Sequence, residues 1–294
     1  MHVFVTGGSG QTGPAVVAEL LSAGHTVTGL ARSDAAAARL ESLGATAHPG
    51  SLEDLDALRR GAEAADGVLH MAFGGDFADP DAMTRRDTAA IDALGRALAG
   101  KPFVSTSGTL VLPAGRETTE RDEPDHDGMA AFRIPGERAC LDFGGSVVRL
   151  APTVHGPRDH GFVPMLIATA RRTGRSAHVG DGGNRWPAVH RRDAAVLFRL
   201  ALEQAPTGSV LHGVAETVTL KSVAETIARK LGVPTVSLTP EAAATHFPSP
   251  FMARVFGFDG PVSGAGTRRL LGWEPTHPGL LEDLETGDYF TVPA

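Results

Sequence analysis

Gly7, Gly10 and Gly13 recur at intervals of three near the start of the chain, within Thr6-Gly7-Gly8-Ser9-Gly10-Gln11-Thr12-Gly13. This spacing suits a phosphate cradle. Glycine at 7 lets the chain turn tightly, glycine at 10 lets backbone approach a pyrophosphate, and glycine at 13 lets the next helix pack closely on the preceding strand. The apolar run Ala15–Leu21 reads as that helix, and its N-terminus offers unpaired N–H groups and a positive dipole end to an anion. Pro14 fits the first turn, where its missing N–H would have had no partner. A strand-like His2–Thr6 precedes the glycines, and this strand–turn–helix context separates the motif from an ordinary glycine-rich turn. The expected ligand is a dinucleotide, held by Thr6, Gly7, Gly10, Gln11, Thr12 and Gly13.

The second strand, His25–Ala31, runs into Arg32-Ser33-Asp34. An acidic residue at this tip would accept from a ribose 2′-hydroxyl, whereas an arginine accommodates a 2′-phosphate. Leu30 and Ala31 cannot do the first job, while Arg32 and Ser33 can do the second, so NADP(H) is the preferred expectation with NAD(H) as the alternative. Asp34 could instead cap the next helix.

The elements that must position these residues alternate in type. Strands are expected at Ala45–Pro49, Gly67–Ala72, Pro102–Ser107 and Ser146–Leu150, with helices over Ser33–Leu43, Leu52–Gly61 and roughly Asp79–Leu98. Such alternation implies βαβ crossovers and a parallel sheet. The fold class is therefore α/β, a Rossmann-type doubly wound parallel sheet formed mainly by residues 1–151. Residues 152–294 should form mainly a smaller substrate-binding lobe, with some strands and helices returning to the sheet. Helices there are expected at Val163–Arg172, Arg192–Glu203 and Leu220–Leu231, followed by a loop-rich tail from Pro248. The acidic stretch Pro113–Gly128 reads either as a surface loop or as an active-site lid.

Composition narrows the function classes. A net charge of −7 gives no basic surface for nucleic acid, and no apolar run reaches the roughly 18 residues needed to cross a bilayer. A single cysteine, Cys140, rules out an internal disulfide, and the chain starts without a secretory signal, so a cytoplasmic location is expected. The 12 histidines show no tight ligand spacing, so no metal is expected.

Over its full length the sequence resembles the extended, or atypical, short-chain dehydrogenase/reductases. The phosphate turn is similar to their TGxxGxxG, and Gly50-Ser51-Leu52 to the Gly-Asp-Leu that touches adenine, with Ser51 in place of aspartate. His70-Met71-Ala72 resembles their His-x-Ala, and Phe103–Ser107 their serine-bearing fifth strand. Val148–Pro157 resembles V-x-R-P-x-x-V-Y-G-P, with His155 where tyrosine is common. Gly180-Asp181-Gly182 with Val189-His190 and Asp193, and Leu271–Pro275, resemble later signatures. The resemblance implies that Ser51, Leu52, Met71, Ala72, Pro152 and Thr153 contact the cofactor, that Phe73 contacts substrate, and that two long helices per subunit could pair in a homodimer.

One departure bears on mechanism. The superfamily's proton-transfer unit is Tyr-x-x-x-Lys, and the chain's single tyrosine, Tyr289, has no lysine after it. At the corresponding place stand Met129 and Arg133. Arg133 could hold the nicotinamide ribose, but a guanidinium does not give up its proton at neutral pH. The remaining candidates are hydroxyls and histidines. Ser107 or Thr109 could touch substrate, though Gly108 could itself occupy the usual serine position. His155 and His160 follow the sixth strand, and an imidazole there could donate a proton. Arg185 could pair with an anionic group and Trp186 could wall a pocket, while His190 and Asp193 could simply bond each other. The leading expectation is an NADP(H)-dependent carbonyl reductase or dehydrogenase acting on a small organic molecule with a non-standard active site. The alternatives are a catalytically silent NADP(H)-binding redox sensor, or an epimerase or dehydratase.

Overall fold

The computed structural model describes residues 1–74 and 79–291. In chain order its strands are β1 (His2–Thr6), β2 (Thr26–Ala31), β3 (Thr46–Pro49), β4 (Gly67–His70), β5 (Phe103–Gly108) and β6 (Ser146–Leu150). They continue with β7 (Thr153–His155), β8 (Ser176–Val179), β9 (Arg185–His190), β10 (Val210–Gly213), β11 (Glu216–Thr219) and β12 (Thr235–Leu238). The central sheet has the order β10-β6-β5-β4-β1-β2-β3, and every neighbouring pair in it is parallel. This is a Rossmann-type doubly wound sheet. Two smaller sheets, β11-β9-β7 and β12-β8, lie outside it.

The helices between these strands are α1 (Gly13–Ser22), α2 (Asp34–Ser42), α3 (Leu55–Glu63), α4 (Pro80–Leu98), α5 (Ile134–Asp142) and α6 (Phe162–Thr173). They continue with α7 (Arg191–Gln204), α8 (Leu220–Leu231), α9 (Pro240–His246), α10 (Pro250–Phe256), α11 (Ala265–Leu271) and α12 (Leu280–Thr286). Local chemistry explains their starts. Ser33, Asp54 and Asp79 each accept a hydrogen bond from the amide three residues on, at 3.3, 2.9 and 2.9 Å, satisfying a donor that the helix leaves unpaired. Along α4 the buried residues Met83, Asp87, Ala90, Ile91, Leu94 and Leu98 fall at helical spacing and form one stripe.

In β1, Val3, Phe4 and Val5 are all fully buried, as expected of a strand covered on both faces. Helix α5 interrupts a stretch for which sequence periodicity gave only the two flanking strands. Since β5 and β6 pair in parallel, their connection must cross over, and α5 is that crossover. Beyond Pro248, where a loop-rich tail was expected, three short helices occur instead, α10 to α12.

The acidic stretch from Pro113 to Gly128 is fastened rather than free. Thr118 N donates to Pro261 O at 3.1 Å, Glu120 accepts from Thr267 N at 2.6 Å, and Arg149 Nη1 donates to Asp122 O at 3.3 Å. Among the described residues, no helix is long and apolar enough to cross a membrane. Cys140 is fully buried, and burial pushes its thiol pKa up to about 12.

Trp273 is the largest fully buried side chain, and its Nε1 donates to Asp193 O at 2.9 Å, tying the segment before α12 to the start of α7. Trp273→Ala should lower stability by about 3–5 kcal/mol, read as a reduced urea midpoint with an unchanged slope.

Candidate functional site

A cleft of about 500 Å³ opens at the C-terminal ends of β1, β2 and β4. Gly7, Ser9, Gly10, Gln11, Thr12 and Gly13 line one side of it. Two glycines are obligatory here for steric reasons. Gly7 has φ +77°, and a Cβ on it would sit 2.7 Å from Ala72 N; a Cβ on Gly13 would sit 2.2 Å from Gly7 O. The side chain of Thr12 does not cap α1, Pro14 brings no N–H and Ala15 N donates to Thr12 O at 3.1 Å, so an anion here would rely on the amides of the turn up to Gly13 and on the helix dipole.

Thr6 does not line the cleft. It is fully buried, and its Oγ1 accepts from Ala72 N at 3.2 Å while lying 2.8 Å from His70 Nδ1. His70 Nε2 in turn lies 3.1 Å from Asp87 Oδ1. One assignment satisfies every atom: Thr6 donates to Nδ1, and Nε2–H donates to the carboxylate. This chain fastens the turn after β1 to the end of β4.

At the far side of the cleft lie Leu30, Arg32, Gly50, Ser51, Leu52, Glu53 and Arg86. Arg32 is exposed. Glu53 pairs with Arg86 at 3.1 Å, and the Ser51 hydroxyl, assisted by Arg86, holds its carboxyl below the ordinary range. Ser33, expected beside Arg32, directs its hydroxyl to the start of α2.

The other end of the cleft is formed by Met71, Ala72, Phe73, Gly74, Thr106 and Leu150. The Arg133 guanidinium stacks over the Phe73 ring, 3.4 Å from its centroid, and Nη2 donates to Thr106 O. Burial lowers the Arg133 pKa, while Asp87 and Glu137 oppose that shift, and the group stays cationic. The hydroxyls of Thr106 and Ser107 are both buried without a hydrogen-bond partner. Met129 packs against apolar core on both sides. Thr109 is buried at the start of a short 3-10 turn and does not line the cleft.

The remaining candidates lie elsewhere. Pro152 and Thr153 do not line the cleft; Leu150 does so in their place. The Thr153 hydroxyl accepts from Trp186 Nε1 at 2.7 Å, and Trp186, 2% exposed, packs in the lobe core against Phe162. Arg185 grips Asp259 through Nε and Nη2 at 3.0 and 2.7 Å, so its charge is already paired. His155 is buried with Nδ1 2.8 Å from Asp283 Oδ2. His160 is exposed, with Nδ1 3.1 Å from Arg158 O.

His190 and Asp193 do not bond each other through their side chains. Asp193 instead accepts from Thr276 N, His277 N and His277 Nδ1, the last at 2.7 Å, and His190 Nδ1 accepts from Arg192 N at 3.2 Å. His190, Asp193 and His277 bring three potential ligand atoms within 4.8 Å. However, the two rings are stacked 4.8 Å apart at 7°, so their in-plane lone pairs run in parallel sheets and cannot converge on one ion. Both Nδ1 atoms are also already engaged.

Several site residues escaped sequence reasoning. Asp87 carried a signal, being a carboxylate in the apolar stripe of α4. Arg86 and Phe198 carried none, because only the tertiary fold brings them to the cleft.

A doubly wound parallel sheet with a glycine phosphate turn and a long cleft across its C-terminal edge is the architecture of Rossmann-type dinucleotide-binding proteins, the class that includes the extended short-chain dehydrogenase/reductases. Within it, the chain belongs to the NAD dependent epimerase/dehydratase family, whose model matches residues 3–212. It is 44% identical over 299 residues to uncharacterized protein C2A9.02 of Schizosaccharomyces pombe, covering 99% of this chain and 100% of that one. It is 30% identical over 224 residues to the 4-hydroxy-2-methyl-3-oxo-4-farnesyl-3,4-dihydroquinoline-1-oxide ketoreductase of Stigmatella aurantiaca, covering 71% and 67%. Among solved structures, the UDP-glucose 4-epimerase of Thermotoga maritima superposes with a TM-score of 0.79 at 19% identity, over 99% and 98% of the two chains.

The histidine cluster sets a pH dependence. Burial, with His155 and His277 nearby, depresses the His190 pKa to about 4, against about 6.5 in an unfolded chain. As pH falls below 6.5 the unfolded chain takes up this proton first, so stability drops until pH nears 4. His190→Gln should therefore show a shallower loss of stability between pH 6.5 and 4, measured by urea titration at several pH values.

Proposed function

We propose that the protein is an NADP(H)-dependent oxidoreductase that reduces, or in reverse regenerates, the carbonyl group of a small organic molecule. One observation carries this reading. The cleft has a phosphate turn on one side, and its other end is lined by Thr106, whose buried hydroxyl has no partner and whose carbonyl accepts from the cationic Arg133; the unpartnered Ser107 hydroxyl follows it in β5. Buried hydroxyls are rarely left without a partner, and their free capacity here matches a ligand group that the fold does not supply.

The phosphate turn and the start of α1 would hold the pyrophosphate, with Ser51 and Leu52 beside the adenine. Arg32 would meet a 2′-phosphate, since the tip of β2 offers no carboxylate and Glu53 is engaged by Arg86. When bound, the cofactor supplies a hydride. Ser107 donates to the carbonyl oxygen as negative charge develops, and Arg133 stabilises that charge without releasing a proton. The proton that completes the alcohol comes through the Ser107 hydroxyl from water. The ketoreductase relative supports a carbonyl substrate.

A second reading, a cofactor-binding sensor without turnover, draws on Met129. It stands where the family's tyrosine would donate, and it is packed in apolar core.

Arg32→Ala should weaken NADPH binding roughly 10–100-fold, the loss of a charge-assisted contact, and leave NADH affinity unchanged. Equal loss for both cofactors would remove the phosphate role. In an NADPH-consumption assay over ketones, aldehydes and imines, Ser107→Ala should lower kcat about 100-fold or more at unchanged cofactor affinity. Tight NADPH binding with no turnover anywhere in the panel would favour the sensor.

A further inference from the structure

The chain's only tyrosine lies outside the family's motif, yet two hydrogen bonds link it to the phosphate turn. Gln11, on the lining of the cleft, donates from Nε2 to Asp159 Oδ1 at 2.5 Å and reaches Val154 O at 3.4 Å. The same carboxylate oxygen accepts from Gly161 N at 2.7 Å. The other, Oδ2, accepts from the Tyr289 hydroxyl at 2.9 Å. The Tyr289 oxygen also accepts from Gly156 N at 3.4 Å, and the neighbouring Asp288 accepts from Arg158 N at 3.1 Å. The segment after α12 thus grips the 156–161 loop at both of its shoulders.

Two further features show that this loop is held in place rather than merely resting there. Arg158 has φ +59°, a left-handed conformation that a non-glycine residue keeps only under external constraint. A Cβ on Gly161 would stand 2.9 Å from Gln11 Nε2, so loop and carboxamide meet with no space between them. Tyr289 is 8% exposed, and burial together with the Asp159 carboxylate raises its pKa, so the phenol remains a donor at any working pH.

We propose that Tyr289 is a positioning residue for the dinucleotide: through Asp159 it fixes the Gln11 carboxamide on the rim of the phosphate turn. The inference rests on the proposed function, because it takes that turn to be the pyrophosphate site. Tyr289 does no proton transfer. It removes a rotational freedom that the glutamine would otherwise lose only on binding, and preorganisation of this kind appears as affinity.

The test is calorimetric titration of NADPH and of 2′-AMP, which carries the 2′-phosphate but no pyrophosphate. Tyr289→Phe, which removes only the hydroxyl, should raise the Kd for NADPH roughly tenfold, the scale of one lost hydrogen bond, and leave 2′-AMP unchanged. In a Gln11→Ala background the same substitution should have no further effect on NADPH, because the pair acts in series. Parallel weakening of both ligands, an unchanged NADPH Kd, or full additivity in the double variant would each overturn the inference. If Tyr289→Phe does not fold, Asp288→Ala, which removes the acceptor of Arg158 N and so loosens the loop that carries Asp159, is titrated instead with the same expectations. Wild-type protein that takes up neither NADPH nor NADH would instead overturn the functional reading itself.

Discussion

The approach of two backbone segments at the end of β1 is the constraint on which the remaining structure depends. Residues 7 and 72 come so close that no side chain fits between them, and the start of α1 packs against the turn with equal closeness. Such contact is stable only if both segments are fixed independently. Thr6, His70 and Asp87 do this from below, forming a buried polar chain in which every donor finds an acceptor. Unpaired, any one of these groups would cost more than the bonds contribute. The chain also explains why α4 tolerates a carboxylate in its buried stripe.

From that anchor the cleft takes its chemical gradient. Amides of the phosphate turn on one side and the exposed Arg32 on the far side favour anionic groups, whereas Met71, Phe73 and Leu150 make the other end apolar. Arg133 lies behind this apolar end with its flat face against Phe73 and an N–H on Thr106 O, so the ring and the carbonyl ease its desolvation. Asp87 and Glu137 keep the guanidinium charged despite burial. An ammonium in its place could not stack in this way, so arginine in the lysine's sequence position is a change of geometry as well as of basicity.

The sheet and its glycine-rich turn were legible in the sequence because their signals are local. Glycines at fixed spacing and continuous apolar strands act within a few residues of themselves, although the cap of α2 is Ser33 rather than the expected Asp34. The lobe was less legible. β7 and β9 pair across 35 residues and β8 and β12 across 59, so each strand gains its meaning only from a distant partner. The cluster Arg185-Trp186 looked functional because dense polar and aromatic residues are a mark of sites, but the same composition serves where the central strand of a small sheet must hold its surroundings. Asp259 and Thr153, the partners that absorb those side chains, lie 74 and 33 residues away. Arg158 and Tyr289 show the converse, since nothing in their immediate sequence announces a link to residue 11.

The buried sulfur in α5 has a practical consequence. With no solvent contact and an ionisation far above neutrality, Cys140 offers electrophiles and peroxide no thiolate while the domain is closed. Because the molecule holds just one such atom, its alkylation reports any opening, local or global, that bares α5. The protein therefore carries an intrinsic clock for its own opening, one whose rate reports how firmly the crossover beside the cleft is held.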